Sequence, residues 1–232
     1  MKAIILAAGR GTRMGALTAD MPKPMLEAAG KPLLEHILDR MREAGISRVL
    51  LVVGYRREVI QEYFAGYDLD IEYVVQEKLD GTGRAVALGR EFAGSEPCLV
   101  TFGDIVCEPS DYRGIVERHN HASGVLGAKW VDDPYQGAAI YEQDGVVRDI
   151  VEKPPKGTSK THWNSAGLYT LQPEIYEYLD RVELSPRGEY ELTTAIANMI
   201  HDGRRLLLYG IRGGWRDVGR PEDLPVAQDL LD

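Results

Sequence analysis

The stretch Leu6-Ala7-Ala8-Gly9-Arg10-Gly11-Thr12-Arg13-Met14 lies near the start of the chain and decides which fold the sequence predicts. It overlaps the end of an apolar run, residues 2–8, that is typical of a short buried β-strand. A glycine-rich turn at the carboxyl end of a strand exposes backbone N–H groups, and such turns bind phosphate. The apolar run is too short for the hydrophobic region of a signal peptide. The stretch therefore predicts a phosphate-binding turn after the first strand.

Two common phosphate-binding motifs do not fit this turn. A dinucleotide-binding fingerprint would need glycine in place of Met14 and an acidic residue after the second strand, where Gly54 and Tyr55 stand. A P-loop would end in Gly-Lys-Ser/Thr, whereas this turn ends in Thr12-Arg13-Met14. A plain tight turn with a solvated arginine is the simplest alternative, but the length of the string favours a phosphate-binding turn.

In the first half of the chain, short apolar runs alternate with amphipathic stretches. This alternation predicts an α/β fold with a mostly parallel sheet and ligands at the carboxyl ends of its strands. Strands are predicted over residues 2–8, 48–53, 69–75 and 98–102, and helices over 32–44, 56–64, 83–92 and 112–121.

The second half is richer in strands and predicts a mixed extension of the same sheet. No Pro-, Gly- or Ser-rich linker separates it from the first half, so we expect both halves to share one core. The predicted class is a Rossmann-like, mixed but mostly parallel sheet wound with helices. Strands are predicted over residues 125–131, 137–141, 146–152, 166–171 and 204–209, and helices over 173–179, 190–201 and 222–231.

Composition narrows the class of partner. The chain has 232 residues, and its 27 basic and 36 acidic side chains give a net charge of −9. This charge argues against a nucleic-acid polymer or an anionic membrane as partner, and no apolar run approaches the roughly 20 residues that span a bilayer. Cys98 and Cys107 form no metal spacing or disulfide framework, which predicts reduced thiols in a cytoplasmic protein.

The glycine-rich stretch, together with Pro22-Lys23-Pro24, closely resembles the N-terminal signature of the sugar-1-phosphate nucleotidyltransferases. Further motifs of that family follow in its order, so the resemblance covers nearly the whole chain. These motifs are Gln76 with Gly81-Thr82-Gly83, Phe102-Gly103-Asp104, Tyr135-Gln136-Gly137, Glu152-Lys153-Pro154, Asn164-Ser165-Ala166-Gly167-Leu168-Tyr169, Arg187-Gly188-Glu189-Tyr190-Glu191-Leu192-Thr193 and Trp215-Arg216-Asp217-Val218-Gly219.

The resemblance implies an enzyme with the nucleotide-diphospho-sugar transferase fold. Residues 1–232 would form one domain, with a nucleotide-binding half over 1–122 and a sugar-phosphate-binding half over 123–232. In the implied reaction, an oxygen of a sugar 1-phosphate attacks the α-phosphorus of a nucleoside triphosphate and releases pyrophosphate. Asp217 lies fifteen residues from the end, so we expect the short form without a β-helix domain. An oligomer is compatible with the sequence.

The resemblance also assigns the nucleotide site. Arg13 would neutralise the leaving pyrophosphate, for which a guanidinium fork is well suited. Gln76 and the backbone of Gly81 would bind the base, because an amide can match the imide edge of a pyrimidine. UTP or dTTP is therefore favoured. The implied nucleotide-binding residues are Leu6, Ala7, Ala8, Gly9, Gly11, Thr12, Arg13, Gln76, Gly81 and Thr82.

Asp104 and Asp217 are the implied ligands of Mg²⁺, which prefers a few carboxylates together with phosphate oxygens. Taken alone, either aspartate is better explained as a helix-cap or turn residue. The family pattern makes Arg13, Lys23, Asp104 and Asp217 the catalytic set.

The resemblance places a sugar-phosphate site in the second half. Lys23 and Lys153 would contact the α-phosphate and the incoming phosphate, and the stretch 187–193 favours a glucose-type sugar. Glu152 would accept hydrogen bonds from sugar hydroxyls, although a salt bridge to Lys153 is the simpler explanation. The implied residues are Gly137, Glu152, Lys153, Asn164, Gly167 and Arg187.

Several alternatives stay open. Within the family they are a guanylyltransferase for mannose or heptose 1-phosphate, an N-acetylmuramate-1-phosphate uridylyltransferase and a cytidylyltransferase. Outside it, a catalytically silent sensor of nucleotide sugars would share the fold. Arg216 and Arg220 depart from the family pattern around Asp217. His119-Asn120-His121 is predicted to be a solvated helix end rather than a metal site.

Overall fold

The computed structural model describes residues 1–231. Within them lie thirteen strands: β1 Lys2–Ala7, β2 Glu27–Ala28, β3 Lys31–Pro32, β4 Arg48–Val53, β5 Asp70–Val75, β6 Cys98–Phe102, β7 Ile105–Cys107, β8 Gly124–Trp130, β9 Ala138–Gln143, β10 Val146–Glu152, β11 Trp163–Leu171, β12 Leu206–Gly210 and β13 Trp215–Asp217. The eight α-helices of this range are α1 Leu33–Glu43, α2 Arg57–Tyr63, α3 Thr82–Ala87, α4 Arg90–Ala93, α5 Pro109–Arg118, α6 Ile175–Leu179, α7 Leu192–His201 and α8 Asp223–Leu231.

Nine of these strands form one continuous sheet to which both halves of the chain contribute. Its order is β5-β4-β1-β6-β11-β8-β12-β10-β9. The strands β5, β4, β1 and β6 are mutually parallel. Only β11 and β10 run against the common direction, because each pairs antiparallel with its neighbours. The predicted mixed, mostly parallel α/β sheet is therefore confirmed.

Helices cover both faces of the sheet, and the alternation of side chains along each strand separates two cores. Ile5 of β1 and Leu51 of β4 face one core, which also contains the apolar side of α1 and part of α5. Ile4 and Leu50 face the other core, which is completed by α3, α6 and α7. A strand that is apolar on both sides, such as β4, is thus explained by helices on both sides.

The structure differs most from the predicted elements at two helices and at β11, which begins at Trp163 instead of residue 166. The predicted helix 83–92 is divided into α3 and α4 at Gly89, where a side chain would meet Ile4 Cδ1 at 2.5 Å. The helix α5 begins at Pro109, three residues earlier than predicted, because proline suits the first turn of a helix.

The prediction of a solvated helix end at His119 is wrong. His119 is buried, its Nδ1 lies 2.8 Å from Thr170 Oγ1, and Gln172 Nε2 donates to its Nε2 at 3.0 Å. Burial lowers the pKa of His119. The residue therefore ties the end of α5 to β11.

A separate two-stranded ribbon lies beside the main sheet and was not predicted. It pairs β7 with β13 in antiparallel register, so that Asp217 lies opposite Ile105. Strands of three residues carry too little pattern to be found in a sequence. The ribbon matters because Asp104 immediately precedes β7 and Asp217 ends β13.

Both cysteines are free and buried, as the absence of a disulfide framework predicts. Burial raises the pKa of Cys98 to about 11 and also raises that of Cys107, so neither thiol is activated as a nucleophile. No helix within residues 1–231 is long and apolar enough to cross a bilayer.

Candidate active site

Two adjoining cavities open along the carboxyl edge of the parallel strands. The first cavity, of about 280 Å³, lies between the glycine-rich turn and the N-terminus of α3. It brings together most of the residues predicted to bind the nucleotide, with Lys23 and Asp104. The predicted residues that line it are Leu6, Ala7, Gly9, Gly11, Arg13, Lys23, Gln76, Gly81, Thr82 and Asp104.

The second cavity, of about 270 Å³, lies between the ribbon, β10, β11 and the segment before α7. Every residue predicted to bind the sugar phosphate lines it: Gly137, Glu152, Lys153, Asn164, Gly167 and Arg187. Asp217 lines it as well. The two cavities share the side chains of Arg13, Thr82, Phe102, Asp104 and Glu189, which form a common wall.

Two predicted nucleotide-binding residues line neither cavity. Ala8 is buried between strand ends, where Tyr55 N–H donates to its carbonyl at 3.0 Å and Gly54 packs against it. Thr12 is exposed at the start of a 3₁₀ helix over Thr12–Thr18. The signature therefore contains residues that shape the turn as well as residues that face the cavity.

The two glycines of the turn differ in what requires them. Gly11 has a φ of +63°, and a side chain there would meet Lys23 Cβ at 2.8 Å, so the fold itself requires glycine. At Gly9 a side chain would meet no protein atom within 4 Å. Gly9 leaves open space in the first cavity that packing does not explain.

The Lys23 side chain packs against Gly11 of this turn and forms an ion pair with Asp104 at the common wall. Only 6% of Lys23 is exposed, because it lies in a short 3₁₀ helix between two prolines and beneath Gly11. A buried charge requires a partner of opposite sign. The pair therefore holds the Asp104 carboxylate at the boundary between the cavities.

The ribbon brings Asp217 next to Asp104. Val218 N–H donates to the Asp104 carbonyl at 2.9 Å, which fixes the two segments to each other. The Asp217 side chain is open to the second cavity, but the protein around its carboxylate displaces much of the water. This desolvation, together with the neighbouring charge of Asp104, raises the pKa of Asp217 to about 6.

Two neighbouring carboxylates, whose negative charges repel each other, form a donor set that suits a hard divalent cation. Residues 1–231 contain no group of three or more His, Cys, Asp or Glu side chains that could hold a metal ion. A cation at Asp104 and Asp217 would therefore take its remaining ligands from substrate and water.

Glu152, Glu189 and Glu191 surround the guanidinium of Arg187. Arg187 Nη1 donates to Glu152 at 3.1 Å and to Glu191 at 3.2 Å, and Nη2 donates to Glu189 at 3.2 Å. Burial and the neighbouring Glu191 raise the pKa of Glu152. The proposed salt bridge of Glu152 to Lys153 is absent from residues 1–231, since Glu152 pairs with Arg187 instead.

Arg13 and Lys153 are the cavity-lining cations that have no ion pair within the described residues. Lys153 has a φ of +42°, an uncommon conformation for a residue with a side chain. Lys153 directly follows β10 and ends the alternation of that strand, so that Glu152 and Lys153 both line the second cavity. Both free cations therefore line the second cavity, and Arg13 lines the first as well.

Gln76 uses the donor side of its amide within the chain. Its Nε2 donates to the Gly81 carbonyl at 3.2 Å and lies 3.5 Å from Asp80 Oδ1. Nothing in residues 1–231 donates to its Oε1, so the amide offers an acceptor to the first cavity. The sequence had predicted both a donor and an acceptor.

Close backbone approach explains two glycines of the second cavity. A side chain on Gly137 would clash with the Asn164 amide, whose Oδ1 is buried without a hydrogen-bond partner in residues 1–231. Gly167 has a φ of +66°, and a side chain there would meet Phe102 Cδ2 at 2.9 Å. Gly137 lets the segment before β9 approach Asn164 of β11, and Gly167 lets β11 approach Phe102 of the common wall.

Sequence reasoning did not single out Phe102, Glu189, Glu191 or Thr193, although all four line the cavities. Each lies inside a motif that the sequence contains, but the motif does not show which side chains face inward. Arg216 and Arg220 line neither cavity and lie 3.8 Å from Asp223 and Glu222 of the last helix region.

Residues 2–231 match the family model described as nucleotidyl transferase. A UTP–glucose-1-phosphate uridylyltransferase, AglF of Haloferax volcanii, is 33% identical over 242 residues, which cover all of this chain and 96% of that protein. The Bifunctional protein GlmU of Methanococcus vannielii is 40% identical over 238 residues. The match covers all of this chain but 55% of that relative, so the chain spans about half its length.

Among solved structures, a UDP-glucose pyrophosphorylase complexed with UDP-glucose superposes with a TM-score of 0.90. The two sequences are 25% identical, and the alignment covers 98% of this chain and 97% of the other. The similarity therefore extends over both cavities and the ribbon.

Proposed function

This chain belongs to the nucleotidyl transferase family, and from that premise we propose that it joins a nucleoside triphosphate to a sugar 1-phosphate. The products would be a nucleoside diphosphate sugar and pyrophosphate. UTP or dTTP is the favoured nucleotide, and a glucose-type 1-phosphate is the favoured acceptor. The name of the relative AglF, a UTP–glucose-1-phosphate uridylyltransferase, supports this choice.

The common wall between the two cavities carries the proposal. Arg13 and Asp104 line both cavities, so a group bound on either side reaches the same charged side chains. A transfer between two bound substrates requires this arrangement, because the attacking and accepting atoms must be held close together and in line. A protein that binds a single ligand would not need two cavities with a shared charged wall.

In the first cavity, the nucleotide would lie over the glycine-rich turn. The open space at Gly9 lets phosphate oxygens approach the backbone N–H groups, which a side chain would obstruct. The free acceptor of Gln76 suits the N3–H group of uracil or thymine, whereas cytosine presents an acceptor at that position. This contact favours UTP and dTTP over CTP.

In the second cavity, the sugar 1-phosphate would lie between Lys153 and the Glu152 carboxylate. Lys153 is free to contact the phosphate, and Glu152 offers acceptor oxygens to sugar hydroxyls. Arg187 is engaged by three glutamates, so its contribution as a phosphate contact would require exchange of one of these bonds.

The arrangement of charges suits in-line attack at the α-phosphorus. Lys23 would contact the α-phosphate while it holds Asp104, and Arg13 would stabilise the negative charge that develops on departing pyrophosphate. The attacking phosphate oxygen is already an anion, so no general base is needed. The thiol of Cys107 is buried and takes no part.

Asp104 and Asp217 are the residues that would hold Mg²⁺, and the oxygen donors they offer fit that ion. When bound, the ion would neutralise phosphate oxygens. Its two protein carboxylates would then no longer repel each other.

A pyrophosphate-release assay tests the proposal. The chain is incubated with UTP, dTTP, CTP, GTP or ATP against glucose, N-acetylglucosamine, mannose and galactose 1-phosphates, with and without Mg²⁺. We expect release with UTP or dTTP and glucose 1-phosphate, dependent on both substrates. Preference for CTP would overturn the assignment of Gln76, and no release with any pair would favour the sensor.

A silent sensor is less well supported, because binding alone does not require the catalytic set. Arg13 and Asp104 line both cavities, and Lys23 in the first and Asp217 in the second lie next to Asp104, although the four come from separate segments of the chain. A sensor would gain nothing from two carboxylates next to a bound polyanion.

A further inference from the structure

Asp111 is a fully buried carboxylate that the proposed reaction does not use. It lies in the first turn of α5 with 0% of its surface exposed. Tyr209 Oη donates to its Oδ1 at 3.0 Å, Arg212 N–H donates to Oδ1 at 2.9 Å, and Gly213 N–H donates to Oδ2 at 2.9 Å. Within residues 1–231, no lysine or arginine forms an ion pair with it.

A carboxylate without a cationic partner is expensive to bury, and only hydrogen bonds to its charged form offset that cost. An apolar side chain would fill the same space without this cost. Packing alone therefore does not explain Asp111. Its three bonds show what it holds, since two of them are to backbone N–H groups of one short loop, residues 211–214.

This loop leads directly into β13, which ends at Asp217. The ribbon of β7 and β13 pairs three residues with three and is not part of the main sheet. Two-stranded ribbons of this length are marginally stable by themselves. Their position must be fixed by contacts with the rest of the molecule.

Two further contacts hold the same end of the ribbon. Glu108 N–H donates to the Gly214 carbonyl at 3.2 Å, and Trp215 Nε1 donates to the Ala166 carbonyl at 2.9 Å. Of the contacts made by Asp111, Glu108 and Trp215, only those of Asp111 involve a charged side chain and more than one hydrogen bond to the loop. Gly213 can approach Asp111 because it has no side chain; a Cβ at this position would clash with Glu108 and Asp111.

We infer that Asp111 is a positioning residue that sets the placement of Asp217 relative to Asp104 by anchoring the loop before β13. The inference rests on the proposed function, in which these two aspartates face a divalent cation and the reacting phosphates. Groups that orient metal ligands without touching the metal typically alter affinity or activity by about 10–100-fold when they are replaced.

The test compares Asp111→Asn with the native chain. Asparagine keeps the size and one acceptor, but its NH₂ group would face the Gly213 N–H. We expect kcat for UTP and glucose 1-phosphate to fall about 10-fold or more, and the apparent Mg²⁺ constant to rise by a similar factor. KM for glucose 1-phosphate should stay within about twofold. Asp202→Asn, an exposed aspartate outside both cavities, should match the native chain.

Hydrogen exchange gives a readout that is independent of activity. Amides 212–213 should exchange faster in Asp111→Asn, and the increase should extend through the ribbon to Val218. Exchange that stays confined to 212–213, or a kcat and Mg²⁺ constant within twofold of native, would overturn the inference.

Tyr209→Phe serves if Asp111→Asn does not fold. It removes one donor to Asp111 and leaves both backbone hydrogen bonds, so we expect a smaller, about threefold, increase of the apparent Mg²⁺ constant. Faster amide exchange should again extend from residues 212–213 to Val218. If neither the Mg²⁺ constant nor the exchange changes, the inference is overturned. If the native chain releases no pyrophosphate, the proposed function fails and exchange still decides the role of Asp111. If the native chain is active and Asp111→Asn equals it, only this inference fails.

Discussion

The first and second cavities share a wall but differ in what lines them. The first is built from the glycine-rich turn, the ends of strands and four charged side chains, Arg13, Lys23, Asp104 and Glu189, whose charges cancel. The second has three cationic and five acidic side chains: Arg13, Lys153, Arg187, Asp104, Glu152, Glu189, Glu191 and Asp217. Shape and backbone groups dominate one cavity, and a dense charge network dominates the other.

The difference has a consequence for the proposed substrates. A sugar 1-phosphate is an anion, yet the cavity proposed for it carries an excess of two negative charges when all its groups are ionised. Binding there requires additional positive charge or protonation, and the carboxylates of Asp104 and Asp217 are where a divalent cation would supply it. The charged side chains of the first cavity sum to zero, so it has no excess of negative charge.

The largest effect is expected at the wall that the cavities share. Asp104→Asn removes the carboxylate that Lys23 holds and one proposed ligand of Mg²⁺, so we expect turnover to fall by at least about 100-fold. Steady-state pyrophosphate release measures it, and circular dichroism checks that the fold is kept. Asp202→Asn is the matched control. Turnover that persists in Asp104→Asn would contradict a shared catalytic wall.

Two glycine substitutions should each affect the binding of only one substrate and so distinguish the two cavities. Gly9→Ala meets no protein atom and should leave Tm unchanged, but it should raise KM for the nucleotide about 10-fold because it fills space over the turn. Gly137→Ala clashes with Asn164 and should raise KM for the sugar phosphate by a similar factor.

Steady-state kinetics in which each substrate is varied at saturating levels of the other would measure both effects. Equal changes of both KM values in either variant would show that the cavities do not act separately.

A smaller effect is expected at the base contact. Gln76→Met removes the free Oε1 acceptor, and losing one hydrogen bond of about 1.4 kcal/mol should lower kcat/KM for UTP about 10-fold. KM for glucose 1-phosphate should not change. Competition between UTP and CTP measures the discrimination, and Glu77→Gln at the neighbouring exposed position is the control. Unaltered discrimination would place the base elsewhere.

The smallest effect concerns stability. The pKa of Asp217 is raised from 3.8 to about 6, so the native state binds more protons than the unfolded state between these values. The resulting loss of stability is absent below about pH 4 and complete above about pH 6.

Asp217→Asn removes this effect and should raise Tm at pH 7.5 by on the order of 2 °C in EDTA, with no gain near pH 4. Calorimetry at both pH values measures the difference. An equal gain at both would mean that the charge of Asp217 is not responsible.

The sequence predicted the parallel half of the fold well because its strands are continuous apolar runs and its helices are amphipathic. It gave the bounds of β4 and β6 without error. It missed β7 and β13, whose three residues each have no period of their own, and it placed His119 in solvent although that side chain is buried by β11. Short elements and buried polar groups depend on distant partners that a local pattern does not contain.

At the candidate site, the sequence predicted which residues line the cavities but not how they pair. The resemblance assigned Lys23, Asp104, Glu152 and Arg187 to the site, and the structure brings all four to the cavities. That Arg187 is held by three glutamates, and that the Gln76 donor side is occupied, follows only from the folded geometry.

Three features follow from the amino-acid sequence alone: the glycine-rich turn after the first strand, the α/β alternation and the set of charged residues available for chemistry. These are local properties, fixed by the period of apolar side chains and by the conformational freedom of glycine. The tertiary structure alone decided that Lys23 pairs with Asp104, 81 residues away, and that Asp111 anchors Tyr209, 98 residues away. Such contacts form only when the sheet brings distant segments together, because desolvation then makes each buried charge depend on the partner it meets.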